Sequence, residues 1–218
     1  SKINCNKRNP QTVGFFLSEW AKDMAKKETK TNAMRILETM KIEYEMRTYD
    51  CDGFIDGVRL AQTLSLPCEQ VYKTLVTVGK SKAHYVFVIP VAEEIDFKKA
   101  AKVVGEKSLE MLPLKDLTTV TGYIRGGCTS VGMKKKFQTT IQEDAMLLDK
   151  IVVSGGRLGL QLVLKPDDLR KAAEAEYADV VVTGKAYNIN TYALTKDDII
   201  VEASGGYIDS AGYKVLNL

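Results

Sequence analysis

One short segment combines a cation and a hydroxyl group inside an apolar strand pattern. Lys73 and Thr74 are neighbours within residues 70–75, and because side chains alternate along a strand, one of the two must face the interior or a cleft. A lysine in such a place needs an anion. The alternative is a lysine on an edge strand whose ammonium group reaches water. The segment by itself leaves both interpretations open.

Two glycine pairs, at residues 126–127 and 155–156, are the other candidates for chemistry. Glycine has no Cβ, so it lets backbone N–H groups approach a ligand closely or line up as an anion-binding nest. Ordinary turns use the same residues, and each pair on its own is equally typical of a plain loop.

The sequence lacks the residues of the common catalytic and metal sites. Its single histidine, His84, lies in an apolar strand pattern, which excludes a multi-histidine metal site and disfavours a Ser-His-Asp triad. The four cysteines form no Cys-x-x-Cys pair, and neither a Walker A lysine motif nor a Gly-x-Gly-x-x-Gly turn occurs. We therefore expect no metal and no cofactor, and a reaction driven by positioning and by backbone hydrogen bonds.

Composition predicts an ordinary globular protein. The 218 residues are 45% hydrophobic and 27% charged, which is enough to bury a substantial core. No apolar run approaches the roughly 20 residues that span a bilayer, and the run at residues 14–17 is too short for a signal-peptide core. We expect a cytoplasmic protein without a membrane partner. The net charge of +3 is compatible with a polyanionic partner but does not require one.

Helix starts are predicted from capping residues that precede apolar residues at helical spacing. Thr31 or Asn32 is expected to cap the first helix, Asp56 the second and Asp96 the third, and a last helix is expected from about Asp167. The predicted buried faces consist of Ala33, Ile36, Leu37 and Met40 in the first helix and of Val58, Ala61 and Leu64 in the second.

Strands are predicted where apolar residues alternate or form short runs. In the first strand Tyr44 and Met46 alternate with Glu45 and Arg47, the period of a half-buried strand, which places Tyr49 on the less apolar face. The predicted strands cover residues 42–49, 71–78, 84–91, 108–111, 150–154 and 160–165. Because strands and helices alternate irregularly, we expect an α/β protein with a mixed sheet and flanking helices rather than a regular parallel sheet.

Taken in order, these segments resemble the YbaK/EbsC family of bacterial Cys-tRNA(Pro) deacylases. The shared motifs are Thr-Asn-Ala-x-Arg, a strand that ends in Thr-Tyr, Val-Tyr-Lys-Thr-Leu, Gly-Tyr-x-x-Gly-Gly, Gly-x-Lys-Lys and Val-Ser-Gly-Gly-x-x-Gly-Leu. The resemblance implies an editing domain at residues 24–180 with a mixed, largely antiparallel, barrel-like sheet and flanking helices. Residues 1–23 and 181–218 lie outside it as extensions, and the second of these is a candidate hairpin.

The resemblance assigns roles to the two chemistry-bearing segments. Lys73 matches the family's essential lysine, which holds the phosphate or ribose end of the tRNA acceptor terminus. Thr74 and Tyr49 match pocket positions that orient the terminal adenosine or the aminoacyl group. Gly126 and Gly127 match the loop whose backbone amides face the scissile ester, so both are candidates for polarising its carbonyl.

Other positions match the family less closely. Ser154 matches the serine of the last motif, but Gln161 stands where the Cys-specific branch has a pocket aspartate. Activity on alanine- or serine-charged tRNA therefore stays an alternative. Thr129 and Ser130 replace the usual Ser-Pro, so a non-catalytic protein that binds the acceptor end is a third reading. Cys128 would need a lowered pKa to act as a nucleophile, and the family uses no enzyme cysteine.

The implied activity is hydrolytic editing in trans of mischarged tRNA, with Cys-tRNA(Pro) as the first expectation. The mechanism is substrate-assisted: the thiol of the cysteinyl group, or a water held by the ribose hydroxyl, attacks the ester carbonyl. The acceptor end of aminoacyl-tRNA is the implied ligand, and prolyl-tRNA synthetase is the implied protein partner. Basic side chains at residues 98, 99, 102 and 134–136 would assist tRNA binding, with a solvated surface as their alternative role.

Overall fold

The computed structural model describes residues 30–50, 53 and 55–182, together with strand segments at 199–201, 207–209 and 214–215. The predicted extension at residues 1–23 lies outside the described residues. No helix in the described part of the chain is long and apolar enough to cross a membrane.

The described residues form helices and strands in an irregular order, as the sequence predicts. Helices α1 to α5 span Asn32–Thr39, Gly57–Thr63, Phe97–Val104, Leu114–Thr121 and Pro166–Ala173. Strands β1 to β8 span Glu45–Thr48, Tyr72–Gly79, His84–Pro90, Leu109–Met111, Gln138–Gln142, Ile151–Ser154, Leu160–Leu164 and Glu176–Ala178. Short 3₁₀ helices lie at Cys68–Gln70 and Glu143–Leu147.

The strands between residues 45 and 178 form two open sheets. The larger has the order β4-β2-β3-β5-β8, and the smaller has the order β1-β7-β6. The pairs β3-β5 and β5-β8 are parallel and the other four pairs are antiparallel, which confirms a mixed, largely antiparallel arrangement. An isolated parallel bridge from Val71 to Val152 links the two sheets.

The expectation of a barrel-like sheet is wrong in one respect, because neither sheet closes. The outer strands β4 and β8 have three residues each, and among the described residues no strand pairs with their outer edges. A barrel requires every strand to have two neighbours. The flanking helices are present as expected.

Three of the predicted helix starts are confirmed by hydrogen bonds to the first turn. The side chain of Thr31 accepts from the backbone N–H of Met34 at 3.3 Å, and that of Asp56 accepts from Arg59 at 3.1 Å. The Asp96 carboxylate accepts from the first turn of α3 at 2.8 and 3.1 Å. These bonds satisfy N–H groups that have no partner inside the helix. The last helix begins one residue earlier than expected, at the proline that precedes Asp167.

The larger sheet is covered on both faces. Val88 of β3 packs in one cluster with Leu162 of β7 and Leu37 of α1, whereas its neighbours Phe87 and Ile89 pack in a second cluster with α3. Because side chains alternate between the faces, a strand covered on both sides consists of a continuous apolar run.

Three apolar residues that the periodicity predicts as buried are partly exposed. Met40 and Met46 are each 45% exposed, and Val58 is 38% exposed. Met40 lies one residue beyond the end of α1, and Val58 lies in the first turn of α2. Met46 is on β1, an edge strand that pairs only with β7 and whose four residues are all exposed.

A separate small sheet lies within the predicted C-terminal extension. Strand β9, Ile199–Val201, pairs antiparallel with β10, Tyr207–Asp209, and β10 pairs antiparallel with β11, Lys214–Val215. The turn expected at residues 204–206 lies outside the described residues.

Candidate functional site

A cleft of about 440 Å³ lies where β2 meets the ends of β6 and β7 and the loop at residues 125–128. Six of the seven predicted site residues line it: Tyr49, Lys73, Thr74, Gly126, Ser154 and Gln161. The seventh, Gly127, is adjacent to the lining. The remaining walls are largely apolar and come from α2, α4 and the strand ends beside them. A cleft of this size and character is typical of sites for small organic groups.

Lys73 is held in place by the backbone that follows β3. Its ammonium group donates to the carbonyl oxygens of Val91 at 2.9 Å and Glu93 at 2.6 Å. The lysine is therefore not on an edge strand, since β2 lies between β3 and β4 in the larger sheet. These two contacts fix the position of the ammonium group at the wall of the cleft.

Tyr49 and Thr74 reach the cleft from two different sheets. Tyr49 follows the end of β1, and its backbone N–H donates to the carbonyl of Gly159 at 3.0 Å. Its ring packs against the cluster that contains Leu60 and Val91, and both of these residues line the cleft. Thr74 is paired with Val88 of β3 in the register of the larger sheet.

The two glycines of the loop differ in what their backbones do. Gly126 has a φ of +82°, a conformation that favours glycine, and its N–H makes no hydrogen bond within the described residues. The N–H of Gly127 donates to the carbonyl of Ile124 at 3.1 Å, so this amide is already used by the turn. The expectation that both amides face the ester stays a prediction; within the described residues the Gly127 amide is used by the turn, and the Gly126 amide makes no backbone hydrogen bond.

Glycine is needed at position 127 because of a close contact between two backbones. A Cβ at this position would lie 2.9 Å from the backbone of Arg157, in the loop between β6 and β7. Two backbones therefore approach each other too closely for a side chain. The lack of a Cβ at Gly127 therefore allows the two glycine loops to approach each other closely.

Two of the polar residues that line the cleft lie on neighbouring strands of the smaller sheet. Ser154 of β6 and Gln161 of β7 are directly opposite in the antiparallel register. The hydroxyl of Ser154 donates to the carbonyl of Gly126 at 3.5 Å, which is a long hydrogen bond. Gln161 is 1% exposed, and its Nε2 is buried without a hydrogen-bond partner among the residues that the structure describes.

Cys128 lines the cleft as a neutral thiol. Burial raises the pKa of Cys128 to about 12, although an interaction with Thr121 opposes the shift. A thiol with this pKa is protonated at neutral pH, and the thiolate is the nucleophilic form. The residue therefore forms part of the wall and is unsuited to attack on a carbonyl.

Three of the six basic residues that were candidates for tRNA contact bond to other parts of the fold. Lys134 donates to the carbonyls of Thr118 and Thr119 near the end of α4, at 3.3 Å each. Lys99 bonds to Asp179 at 2.6 Å, and Lys136 forms an ion pair with a glutamate. These contacts give the lysines a structural role in addition to any role in binding.

Three lining residues of the cleft were not predicted from the sequence. Arg125 lines the cleft and directly precedes the glycine pair. Met111 and Leu114 also line it and are 44% and 57% exposed, although both are apolar. The position of Arg125 inside the glycine motif was the available signal for the first of these. Nothing in the sequence distinguishes the other two from ordinary surface residues.

Among the described residues, no group of three or more His, Cys, Asp or Glu side chains is placed to hold a metal ion. The lining of the cleft includes two basic residues, Lys73 and Arg125, the glycine backbone at Gly126, and polar side chains of tyrosine, threonine, serine and glutamine in otherwise apolar walls. Such groups can bind, orient and polarise an ester, but they do not form a general acid–base pair.

Comparison with known proteins gives one family. The profile of the aminoacyl-tRNA editing domain matches residues 57–172. A protein of Enterococcus faecalis (strain ATCC 700802 / V583), named as a candidate Cys-tRNA(Pro)/Cys-tRNA(Cys) deacylase EbsC, is 42% identical over 160 residues, which make up 72% of this chain and 98% of that protein.

Solved structures share the fold at lower sequence identity. The crystal structure of a candidate trans-editing enzyme for prolyl-tRNA synthetase has a TM-score of 0.60 at 22% identity, covering 69% of this chain and 95% of that one. The crystal structure of a hypothetical protein has a TM-score of 0.65 at 18% identity, covering 70% of this chain and 100% of that one. At these identities the similarity is one of fold.

Proposed function

Because this chain belongs to the YbaK/EbsC family of aminoacyl-tRNA editing domains, we propose that it removes misattached amino acids from tRNA, with Cys-tRNA(Pro) as the substrate. The observation that carries the proposal is the composition of the cleft. It gathers a lysine, an arginine, the glycine loop and polar side chains, and among the described residues that line it there is no histidine, aspartate or glutamate. This set of groups suits an ester that is already activated and needs only orientation and polarisation.

The size of the cleft supports a particular orientation of the bound tRNA. The tRNA is a large polyanion, and only its aminoacylated end fits into a cleft of about 440 Å³. The cation of Lys73 would hold the phosphate or ribose of the terminal nucleotide, while Tyr49 and Thr74 orient the adenosine. The N–H of Gly126 would donate to the carbonyl oxygen of the scissile ester, where negative charge develops.

The reaction uses the substrate's own groups. In the cysteinyl case the thiol sulfur attacks the ester carbonyl, a carbon–sulfur bond forms, and the bond from the carbonyl carbon to the ribose oxygen breaks. The thiol proton goes to the departing ribose oxygen, and the resulting thiolactone is hydrolysed by water. For an amino acid without a thiol, a water held by the ribose hydroxyl attacks instead. The protein supplies position, a donor and a dry environment.

The glutamine at position 161 favours a second group of candidate substrates for the same deacylation reaction. The position has a carboxamide where the Cys-specific branch has a carboxylate, so tRNA charged with serine or alanine is included in the proposal. Prolyl-tRNA synthetase is the proposed protein partner, in agreement with the function named for the structural relative. The proposed compartment is the cytoplasm, where charged tRNA occurs.

A panel of tRNA(Pro) samples charged with cysteine, alanine, serine or proline tests the proposal. Each sample is mixed with excess protein, and the remaining aminoacyl-tRNA is followed over time beside a buffer control. We expect rapid loss of the cysteinyl ester and persistence of the prolyl ester. Tight binding of the charged tRNA without hydrolysis of any ester would make the chain a binding protein and would refute the proposed activity.

A further inference from the structure

The opening of the cleft combines apolar and cationic side chains. Three of the residues that line the cleft are exposed, namely Met111, Leu114 and Arg125, and the other lining residues are buried or half-buried. Met111 and Leu114 are 44% and 57% exposed. Exposed lining residues mark the place where a cleft meets solvent. Any part of a ligand that extends beyond the cleft therefore passes these three side chains.

The three exposed residues belong to neighbouring segments of the chain. Met111 is the last residue of β4, Leu114 is the first residue of α4, and Arg125 lies in the loop that follows α4. The backbone N–H of Leu112 donates to the carbonyl of Val76 at 2.9 Å, which ties the segment between β4 and α4 to β2. No aspartate or glutamate is among the described residues that line the cleft. The opening thus suits a ligand with apolar faces and negative charges.

An unpaired nucleic-acid strand has both properties. Its bases pack their faces on apolar or planar side chains, and its phosphates pair with arginine. We infer that Met111, Leu114 and Arg125 form a subsite for the unpaired nucleotides that precede the terminal adenosine of the tRNA. This inference rests on the proposed function, in which the last nucleotide occupies the cleft and the rest of the strand leaves through its opening.

The subsite adds affinity without reading the base sequence. Aliphatic side chains offer no hydrogen bonds to the base edges, so the contact does not depend on base identity. The two cations of the cleft then serve different nucleotides. Half-buried Lys73, bonded to the backbone after β3, serves the terminal nucleotide, and exposed Arg125 serves a phosphate further along the strand.

The experiment measures binding and therefore does not depend on turnover. The short probe is 3′-cysteinylamido-3′-deoxyadenosine 5′-monophosphate, which has a non-hydrolysable amide in place of the ester. The long probe carries the same terminal nucleotide after two cytidines. Both are titrated into the full chain by calorimetry. We expect the long probe to bind at least about 10 times more tightly, the gain for one base packed on a protein surface.

Two variants separate the apolar and the cationic contacts. In the double variant Met111→Thr, Leu114→Ser the gain from the short to the long probe should fall to within a factor of about 3, with the affinity for the short probe unchanged. In Arg125→Gln the slope of log affinity against log salt concentration for the long probe should fall in magnitude by about 0.7, the value for one phosphate contact of a single strand. Arg125→Lys, which keeps the charge, should restore the slope.

The matched control is Leu147→Ser. Leu147 is 86% exposed and apolar but does not line the cleft, so its replacement should leave both affinities unchanged. All variants change exposed side chains, and equal melting temperatures show that the comparison is one of binding alone.

A parent that binds both probes equally, with deacylation of cysteinyl-tRNA intact, would overturn the inference and leave the proposed function standing. A double variant that keeps the full gain, or that loses affinity for both probes to the same extent, would also overturn it. So would a parent that dimerises and a double variant that does not, because the apolar residues would then form a contact between copies of the chain. Failure of both probes to bind, together with no deacylation in the charged-tRNA panel, would remove the proposed function as well.

Discussion

The glycine loop makes a prediction that separates catalysis from packing at two neighbouring residues. Gly126→Ala adds a side chain at a φ of +82°, which costs about 1–2 kcal/mol of stability for a left-handed residue. The same change displaces the backbone N–H of Gly126, which makes no backbone hydrogen bond within the described residues. If that amide polarises the ester, its displacement should raise the barrier by about 2.7–4 kcal/mol and slow single-turnover deacylation about 10²–10³-fold.

Gly127→Ala is the matched control, because its amide is already bonded to Ile124. The added Cβ would lie 2.9 Å from the backbone of Arg157, so the two loops must move apart. Overpacking of this kind costs about 1–3 kcal/mol, which lowers the melting temperature by about 2–10 °C. The rate of the folded fraction should fall less than in Gly126→Ala.

Melting temperature and single-turnover rate, measured on the same preparations, decide between the two roles. A catalytic role of the Gly126 amide is refuted if Gly126→Ala keeps a rate within about threefold of the parent, a loss too small for a displaced oxyanion donor. It is also refuted if Gly127→Ala is the slower of the two variants.

Three further changes test other parts of the site. Cys128→Ala should keep the deacylation rate within about threefold of the parent, because a thiol with a pKa of about 12 is not the nucleophile; a large loss would restore that role. The same thiol, raised from 9.0 to about 12 by burial, stabilises the fold fully below pH 9 and progressively less as the pH rises towards 12. This decline in melting temperature should be smaller in Cys128→Ala, and an identical decline would contradict the burial effect. Incubation with EDTA should leave the rate unchanged, since the described residues provide no metal site; chelator-sensitive hydrolysis would show a missed ligand set. Lys73→Met should lower the free energy of unfolding by about 1–3 kcal/mol, because the carbonyls of Val91 and Glu93 lose their donor, and an unchanged denaturation midpoint would refute the structural part of its role.

Helices that begin after a capping residue, and strands that consist of an apolar run, were predicted correctly from the sequence. Helices α1, α2 and α3 start after a capping side chain, and the capping bond is a short-range interaction that a few residues specify. Strands β2 and β3 are apolar over most of their length, and both were predicted within one or two residues of their observed ends.

Strand β5 was missed because its burial depends on its neighbours. Its sequence, Gln-Thr-Thr-Ile-Gln, has one strongly apolar residue, yet four of its five residues are buried between β3 and β8. Thr140 and Gln142 are 1% and 2% exposed. Threonine and glutamine have no pattern that distinguishes a buried parallel strand from a polar loop, so tertiary contacts decided the conformation.

The resemblance predicted which residues belong to the site. It did not predict which of their polar groups make hydrogen bonds within the fold. The order of the motifs indicated that Lys73, Gly126 and Gln161 belong to one pocket, although they come from separate elements. That Gly127 uses its amide in the turn, and that Gln161 has an unpaired Nε2, are results of three-dimensional contacts. Glycine and glutamine have the same sequence signature whether their polar groups are paired or available.

The proposed deacylation in this cleft is best tested by comparing the parent with Lys73→Met on Cys-tRNA(Pro) under single-turnover conditions. Methionine keeps the length and apolar stem of the lysine and removes its charge. We expect the parent to release cysteine far faster than buffer does, and the variant, still folded by its melting transition, to be at least about tenfold slower, as loss of one charge-assisted contact requires. A parent rate equal to that of buffer, or a folded variant as fast as the parent, would contradict the account.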